Sequence, residues 1–179
     1  SAASSGTSTT ITLGDNETAL TVNLSASTST VVENGSAVTI TATLSGTADE
    51  AVTVPLDTSG TATEGTDYAA ISDITIAAGA TTGTATVTPT DDNTSEGNET
   101  IVVSMGTLSG ANATAGSTTS LSFSLTDDEG TPSITLAASG SSIAENSSST
   151  ITLTVTSSVV AAEDIIVSLS GSGAATSGS

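Results

Sequence analysis

Along this chain, apolar residues fall at every second position in short runs, and the runs are separated by Gly, Ser, Asn and Asp. The segment Val38-Thr39-Ile40-Thr41-Ala42-Thr43-Leu44 is the clearest case, with Val, Ile, Ala and Leu alternating with Thr. A period of two puts one set of side chains on one face of an extended strand, so such a run predicts a strand with one face buried. Seven stretches fit this reading: Ala19–Ala26, Ala37–Leu44, Ala51–Leu56, Ile71–Ile76, Thr84–Thr88, Thr100–Met105 and Leu121–Thr126. Pro55, which lacks an N–H, predicts an edge position or a bulge in the third of them. Helical spacing is absent from the pattern. The runs therefore predict an all-β fold, a seven-stranded antiparallel sandwich with Greek-key connections.

The pattern also repeats. STTITLGDNETALTVNLSASTSTVVENGS realigns on STTSLSFSLTDDEGTPSITLAASGSSIAENSS, and the differences 127 − 15 and 145 − 33 both give 112. A period of about one sandwich domain marks a tandem array. Residues 1–18 read as the last strand (Thr9–Leu13) and acidic tail (Asp15-Asn16-Glu17) of a preceding repeat. Residues 19–130 read as one complete repeat. Residues 131–179 read as the first strands of a following, incomplete repeat, from Ser133 to Ser170 and then a Gly/Ser-rich stretch.

Composition narrows the chemistry sharply. The 179 residues contain 19 Asp and Glu but no Lys, Arg, His or Cys, for a formal charge of −19. Without cations the chain has no clamp for phosphate, so nucleic acid and anionic membrane surfaces are poor partners. Ser is abundant, but no imidazole exists to activate it, and amine or thiol nucleophiles are absent. Carboxylate-pair hydrolysis would need a cleft, usually with aromatic walls, and Tyr68 and Phe123 are the only aromatics. The chain is not expected to be an enzyme. Charge this high can signal disorder, but a mean hydropathy of +0.22 and alternating Val, Ile and Leu oppose that here. No run is long and apolar enough to span a membrane as a helix, and any export signal is expected to have been removed or to lie outside this piece.

Strand parity sorts the charge. If successive strands run antiparallel, the connections after the first, third and fifth stretches meet the end of the seventh at one pole. That pole receives Glu33, Glu64, Asp67, Asp91, Asp92, Glu96, Glu99, Asp127, Asp128 and Glu129, while the other receives Asp49 and Glu50. Two like charges ~4 Å apart repel by about 1 kcal/mol in water and several-fold more near a protein surface. A solvated surface kept for solubility would not separate charge by pole. Oxygen donors with no His or Cys point to Ca²⁺ or Mg²⁺, and several flexible carboxylates from separate loops favour Ca²⁺.

The motifs VVENGS, GTDY (Gly65–Tyr68), DDNTSEGNE (Asp91–Glu99) and LTDDE (Leu125–Glu129) together resemble the Calx-β domain across Ala19–Glu129. The resemblance implies a seven-stranded, immunoglobulin-like sandwich that binds several Ca²⁺ at one end. Carried onto this sequence, the ligands would be Glu33, Asp67, Asp91, Asp92, Glu96, Glu99, Asp127, Asp128 and Glu129, the last standing where the family often has Asp. Glu64 has no family counterpart and reads as a solvated turn residue. Asp49-Glu50 reads as a solvated hairpin tip, and Asp57 and Asp73 read as turn or exposed-face residues.

The incomplete repeats predict sheet edges that neighbouring repeats or subunits would complete, head to tail. The short linker Glu129-Gly130-Thr131-Pro132 places the acidic pole beside the next repeat, so bound calcium would stiffen the junction. The function this suggests is a structural repeat of a secreted or cell-surface adhesin, stalk or filament. Two alternatives are a calcium-sensing regulatory domain and a module binding sugar or a host protein through Thr-rich faces such as Thr82–Thr90. Every Asn (Asn16, Asn23, Asn34, Asn93, Asn98, Asn112 and Asn146) lies in an N-x-[ST] sequon and is a candidate glycosylation acceptor.

Overall fold

The computed structural model describes residues 10–11 and 19–173, and within them every regular element is a strand. The acidic tail Asp15-Asn16-Glu17 lies outside the described residues, as does the predicted strand Thr9–Leu13 apart from Thr10 and Ile11. The strands run β1 Leu20–Ala26, β2 Thr30–Val32, β3 Val38–Leu44, β4 Val52–Val54, β5 Leu56–Gly60, β6 Ile74–Ile76 and β7 Thr82–Val87. They continue with β8 Thr94–Ser95, β9 Glu99–Met105, β10 Ala113–Ala115, β11 Ser120–Thr126, β12 Ile134–Ala138, β13 Leu153–Ser157 and β14 Val160–Ala161. All seven predicted stretches contain strand. The short strands β2, β8 and β10 carry no alternation long enough to be read from sequence.

Two four-stranded sheets form the sandwich, with orders β10-β1-β3-β7 and β2-β11-β9-β5. Val22 and Leu24 of β1 and Ile40 and Ala42 of β3 pack against Ile101 and Val103 of β9 and Phe123 and Leu125 of β11. In β3 the alternation read from sequence is the burial pattern observed, with Val38, Ile40, Ala42 and Leu44 all inside. Burying such side chains contributes about 1.5–3 kcal/mol each, which is how a core with two aromatics suffices.

Three details correct the simple antiparallel picture. The stretch Ala51–Leu56 is not one strand. It breaks at Pro55, so that β4 pairs with β6 in a separate two-stranded sheet while β5 pairs with β9 in the sheet β2-β11-β9-β5. Pro55 has no N–H to offer a ladder, and the carbonyl it keeps accepts from Gly106 N–H at 2.9 Å. Asp73 is not merely an exposed-face residue. Its Oδ1 accepts the Leu56 N–H at 3.0 Å, satisfying the first residue beyond the break. It also precedes β6 rather than lying in a strand, since Ile71–Asp73 are irregular. Finally, β2 pairs with β11, and β10 with β1, in parallel.

Strands β12 and β13 form a two-stranded antiparallel hairpin whose pairing matches that of β1 and β3. Leu136 stands opposite Val155 as Leu24 stands opposite Ala42. Its environment differs: Leu136 is 55% exposed, whereas Leu24 is 3% exposed.

Candidate metal centre

The parallel pairing of β2 and β11 creates the heart of the acidic pole. Val32 is in register with Thr126, and the Glu33 N–H donates to the Thr126 carbonyl at 3.1 Å, so Glu33 and Asp127 leave the sheet side by side. Asp127 then gathers the neighbouring loop. Its Oδ2 accepts from the Glu96 and Gly97 N–H groups at 3.0 and 2.7 Å, and its Oδ1 from the Glu129 N–H at 3.1 Å. Gly97 turns at φ 81, a left-handed conformation that costs other residues roughly 1 kcal/mol or more, and this turn aims its N–H at Asp127.

The remaining segments are braced locally. Asp67 is buried, and its Oδ2 accepts the Thr63 N–H at 2.6 Å within the turn that ends at Tyr68. Tyr68 itself is a core residue, which anchors that turn. Asp92 Oδ1 accepts the Thr94 N–H at 2.6 Å, an Asx-type brace of the long loop. Glu99 opens β9 opposite Leu125.

Seven of the nine predicted ligands come together in three groups whose carboxylate oxygens lie within 4.8 Å of one another. These are Glu33–Asp127–Glu129, Glu33–Asp92–Glu96 and Asp67–Glu96–Glu99. Glu33 belongs to two groups and Glu96 to two, so the groups join into a continuous row. Asp91 and Asp128 fall in none of them. Asp128 instead accepts from Asn34 Nδ2 at 2.6 Å, and Asp91 is exposed on the same loop as Asp92. Glu64 accepts from the Thr58 hydroxyl at 2.9 Å, and is likewise in none of the groups. Asn34 was missed as a site residue because a sequon reading treats its amide as a surface feature. Only the fold places that nitrogen against Asp128.

The electrostatics show the strain of this arrangement. Burial, followed by the charges of Asp92, Asp127, Glu129 and Glu96, pushes Glu33 up to about 7. Burial and then a hydrogen bond with Asp67 push Glu99 up to about 7 as well. Burial and neighbouring carboxylates also raise Glu96 and Glu129. Asp127 moves the other way: its burial works to raise it, but the three backbone N–H bonds outweigh that and hold it low. No Lys, Arg or His exists to balance the row. Glu129 Oε2 is shielded from solvent and has no hydrogen-bond partner among the described residues. An unpaired buried carboxylate oxygen in an oxygen-only, anion-rich cluster fits a hard divalent cation.

A pH dependence follows. Glutamates in the unfolded chain ionise near 4.5, whereas Glu33 and Glu99 hold their protons to about 7 when folded. Between those values the folded state binds more protons, so cation-free stability falls as pH rises from 4.5 to 7 and stays low above. Allowing for solvent screening, the loss is on the order of 2 kcal/mol. Thermal melts in calcium-free buffer from pH 5 to 8 are expected to show a falling melting temperature. A flat or rising profile would contradict the clustering.

Residues 15–130 match the model of a family described as the Calx-beta domain. Among solved structures, the apo-form Calx CBD1 domain superimposes with a TM-score of 0.51 at 18% identity, covering 61% of this chain and 99% of that one. The CBD12 structure from CALX1.2 gives a TM-score of 0.51 at 19% identity, covering 60% of this chain but only 44% of that one. At such identities these likenesses speak to the fold alone. No curated protein matches the sequence.

Proposed function

This chain belongs to the Calx-beta domain family, a family of calcium-binding domains, and from that premise we propose that it is a calcium-binding structural repeat. In this reading Glu33, Asp67, Asp92, Glu96, Glu99, Asp127 and Glu129 hold Ca²⁺ in the joined row, with Asp91 and Asp128 at its margin. The observation that carries it is the row itself: seven carboxylates from separate segments in a chain without one cationic side chain. Bound calcium supplies the positive charge the sequence lacks and ties four chain segments to the end of β11. The work is mechanical, and no catalytic step is proposed.

The wider role extends this. Residues 1–18, 19–130 and 131–179 are taken as parts of three successive repeats of a secreted or cell-surface adhesin, stalk or filament. Two observations support it: the internal offset of 112 residues, and the hairpin β12–β13, whose apolar side chains are exposed where their counterparts in β1 and β3 are buried. Neighbouring repeats or subunits completing such edges would build a head-to-tail array.

Small-angle scattering at millimolar calcium and after chelation tests the mechanical role. The expected result is a longer, stiffer particle with calcium. Superimposable profiles in the two conditions would remove the case for a joint.

A further inference from the structure

Among the described residues, one strand of the partial repeat pairs with a strand of the complete one. Val160–Ala161 (β14) pairs in parallel with Thr94–Ser95 (β8), and the Ala162 N–H donates to the Ser95 carbonyl at 3.2 Å. β8 lies inside the carboxylate-bearing loop, between Asp92 and Glu96. A connection of the following repeat is therefore stitched to the ligand loop of the repeat before it.

The internal repeat shows what the same connection is in the complete domain. Leu56 answers to Leu169, Val54 to Val167 and Glu50 to Glu163, and 169 − 56, 167 − 54 and 163 − 50 all give 113. Hence Thr47–Ala48 answers to Val160–Ala161, and Asp49 to Ala162. In the complete repeat Thr47, Ala48, Asp49 and Glu50 line a cleft of about 1180 Å³ at the pole opposite the carboxylate row, with Leu20 and Leu108 also on its wall. The Ala48 carbonyl accepts the Gly79 N–H at 2.8 Å, which fixes the connection. Among the described residues, nothing accepts from the Asp49 N–H or donates to the Thr47 carbonyl. The Asp49 N–H is the counterpart of the donor that Ala162 uses on Ser95.

We propose that the Thr47–Asp49 edge is a docking strand for the carboxylate-bearing loop of a second repeat of this kind, lying N-terminal to it and pairing through its equivalent of Thr94–Ser95. The proposal rests on the tandem reading above and adds the surface through which repeats meet. Each repeat then carries a socket, the loop between β7 and β9, and a plug, the connection after β3. Docking brings Asp49 and Glu50 towards a neighbour's carboxylates, so it requires the divalent cation to be bound there. The acidic pair is then part of a junction and not a solvated tip.

The chain itself provides the test, because Val159→Gly, Val160→Thr and Ala162→Asp convert Ser158–Glu163 into the sequence of Ser45–Glu50. Amide hydrogen exchange at position 162 is followed by NMR in millimolar calcium, with the β3 amides confirming that each chain is folded. The expected result is exchange at least ~10-fold slower than for an unprotected amide in both the native chain and the triple variant. Protection in the native chain that the triple variant loses would overturn the proposal, because the Ser45–Glu50 sequence would then be unable to dock. Free exchange in both would overturn it too. If the melting temperature still responds to calcium in that case, calcium binding stands and only the docking surface fails.

Discussion

Millimolar calcium is expected to raise the melting temperature of this chain by roughly 10 °C over the chelated protein. A ligand that binds only the folded state at 100 to 1,000 times its dissociation constant stabilises by about 3–4 kcal/mol. The unfolded chain scatters its carboxylates, so it offers the ion no comparable site. The folded chain concentrates Glu33, Asp92, Glu96, Asp127 and Glu129 around shared oxygens. Burial first, and neighbouring carboxylates after it, make Glu33 and Glu99 retain protons to about pH 7. Calcium removes the same penalty without a proton, so the gain is larger at pH 8 than at pH 5. Differential scanning calorimetry in chelator, in calcium and in molar NaCl separates ligation from screening. Sodium at that strength shortens the Debye length to about 3 Å and recovers part of the repulsion, but it cannot bridge the segments. A calcium effect no greater than that of sodium would refute a specific site.

The second large effect is a pair of substitutions that act in opposite directions when calcium is absent. Glu33→Gln removes a buried carboxylate that four neighbouring acids disfavour, and is expected to stabilise the calcium-free chain at pH 8 by about 1–2 kcal/mol. Asp127→Ala removes the acceptor for three backbone N–H groups, of Glu96, Gly97 and Glu129. Charge-assisted bonds of this kind contribute roughly 1.5–3 kcal/mol each, offset here by rehydration of exposed loops and by relief of repulsion. A net loss of about 2 kcal/mol is expected. Both variants are expected to weaken calcium binding at least ~10-fold, since each residue belongs to the row that supplies the oxygens. Thermal melts with and without calcium, beside isothermal titration, measure both quantities. If both variants stabilise the calcium-free chain, Asp127 is not the organising residue described here, and if both destabilise it, the Glu33 carboxylate is not disfavoured by its neighbours.

Glu33 and Asp127 thus differ although both are acids at one pole. Glu33 is poorly matched to the folded state until a cation arrives. Asp127 already serves that state by holding the 91–99 loop against the end of β11. The row is therefore part scaffold and part unbalanced negative charge, since the Asp127 bonds hold the loop while Glu33 carries the repulsion.

The sequence by itself determined the strands and the segregation of charge. Alternation of Val, Ile and Leu with Thr is a local signal, because a strand's two faces are set by its own backbone. Strand parity then carried the acids of three connections and of the end of the seventh stretch to one pole, and an offset of 112 residues recurs along the sequence. Tertiary structure decided which acids meet. Glu33 stands beside Asp127 because β2 pairs in parallel with β11, and a three-residue strand has no periodicity to announce it. Asp91 and Asp92 are neighbours in sequence, yet only Asp92 enters a group of three. Pro55 was legible as a disturbance, but its passing the chain from β6 to β9 was not. A metal group requires oxygens within a few ångströms of one another, and that distance is set by long-range pairing and by the turn at Gly97. Neither leaves a mark on composition or on local period.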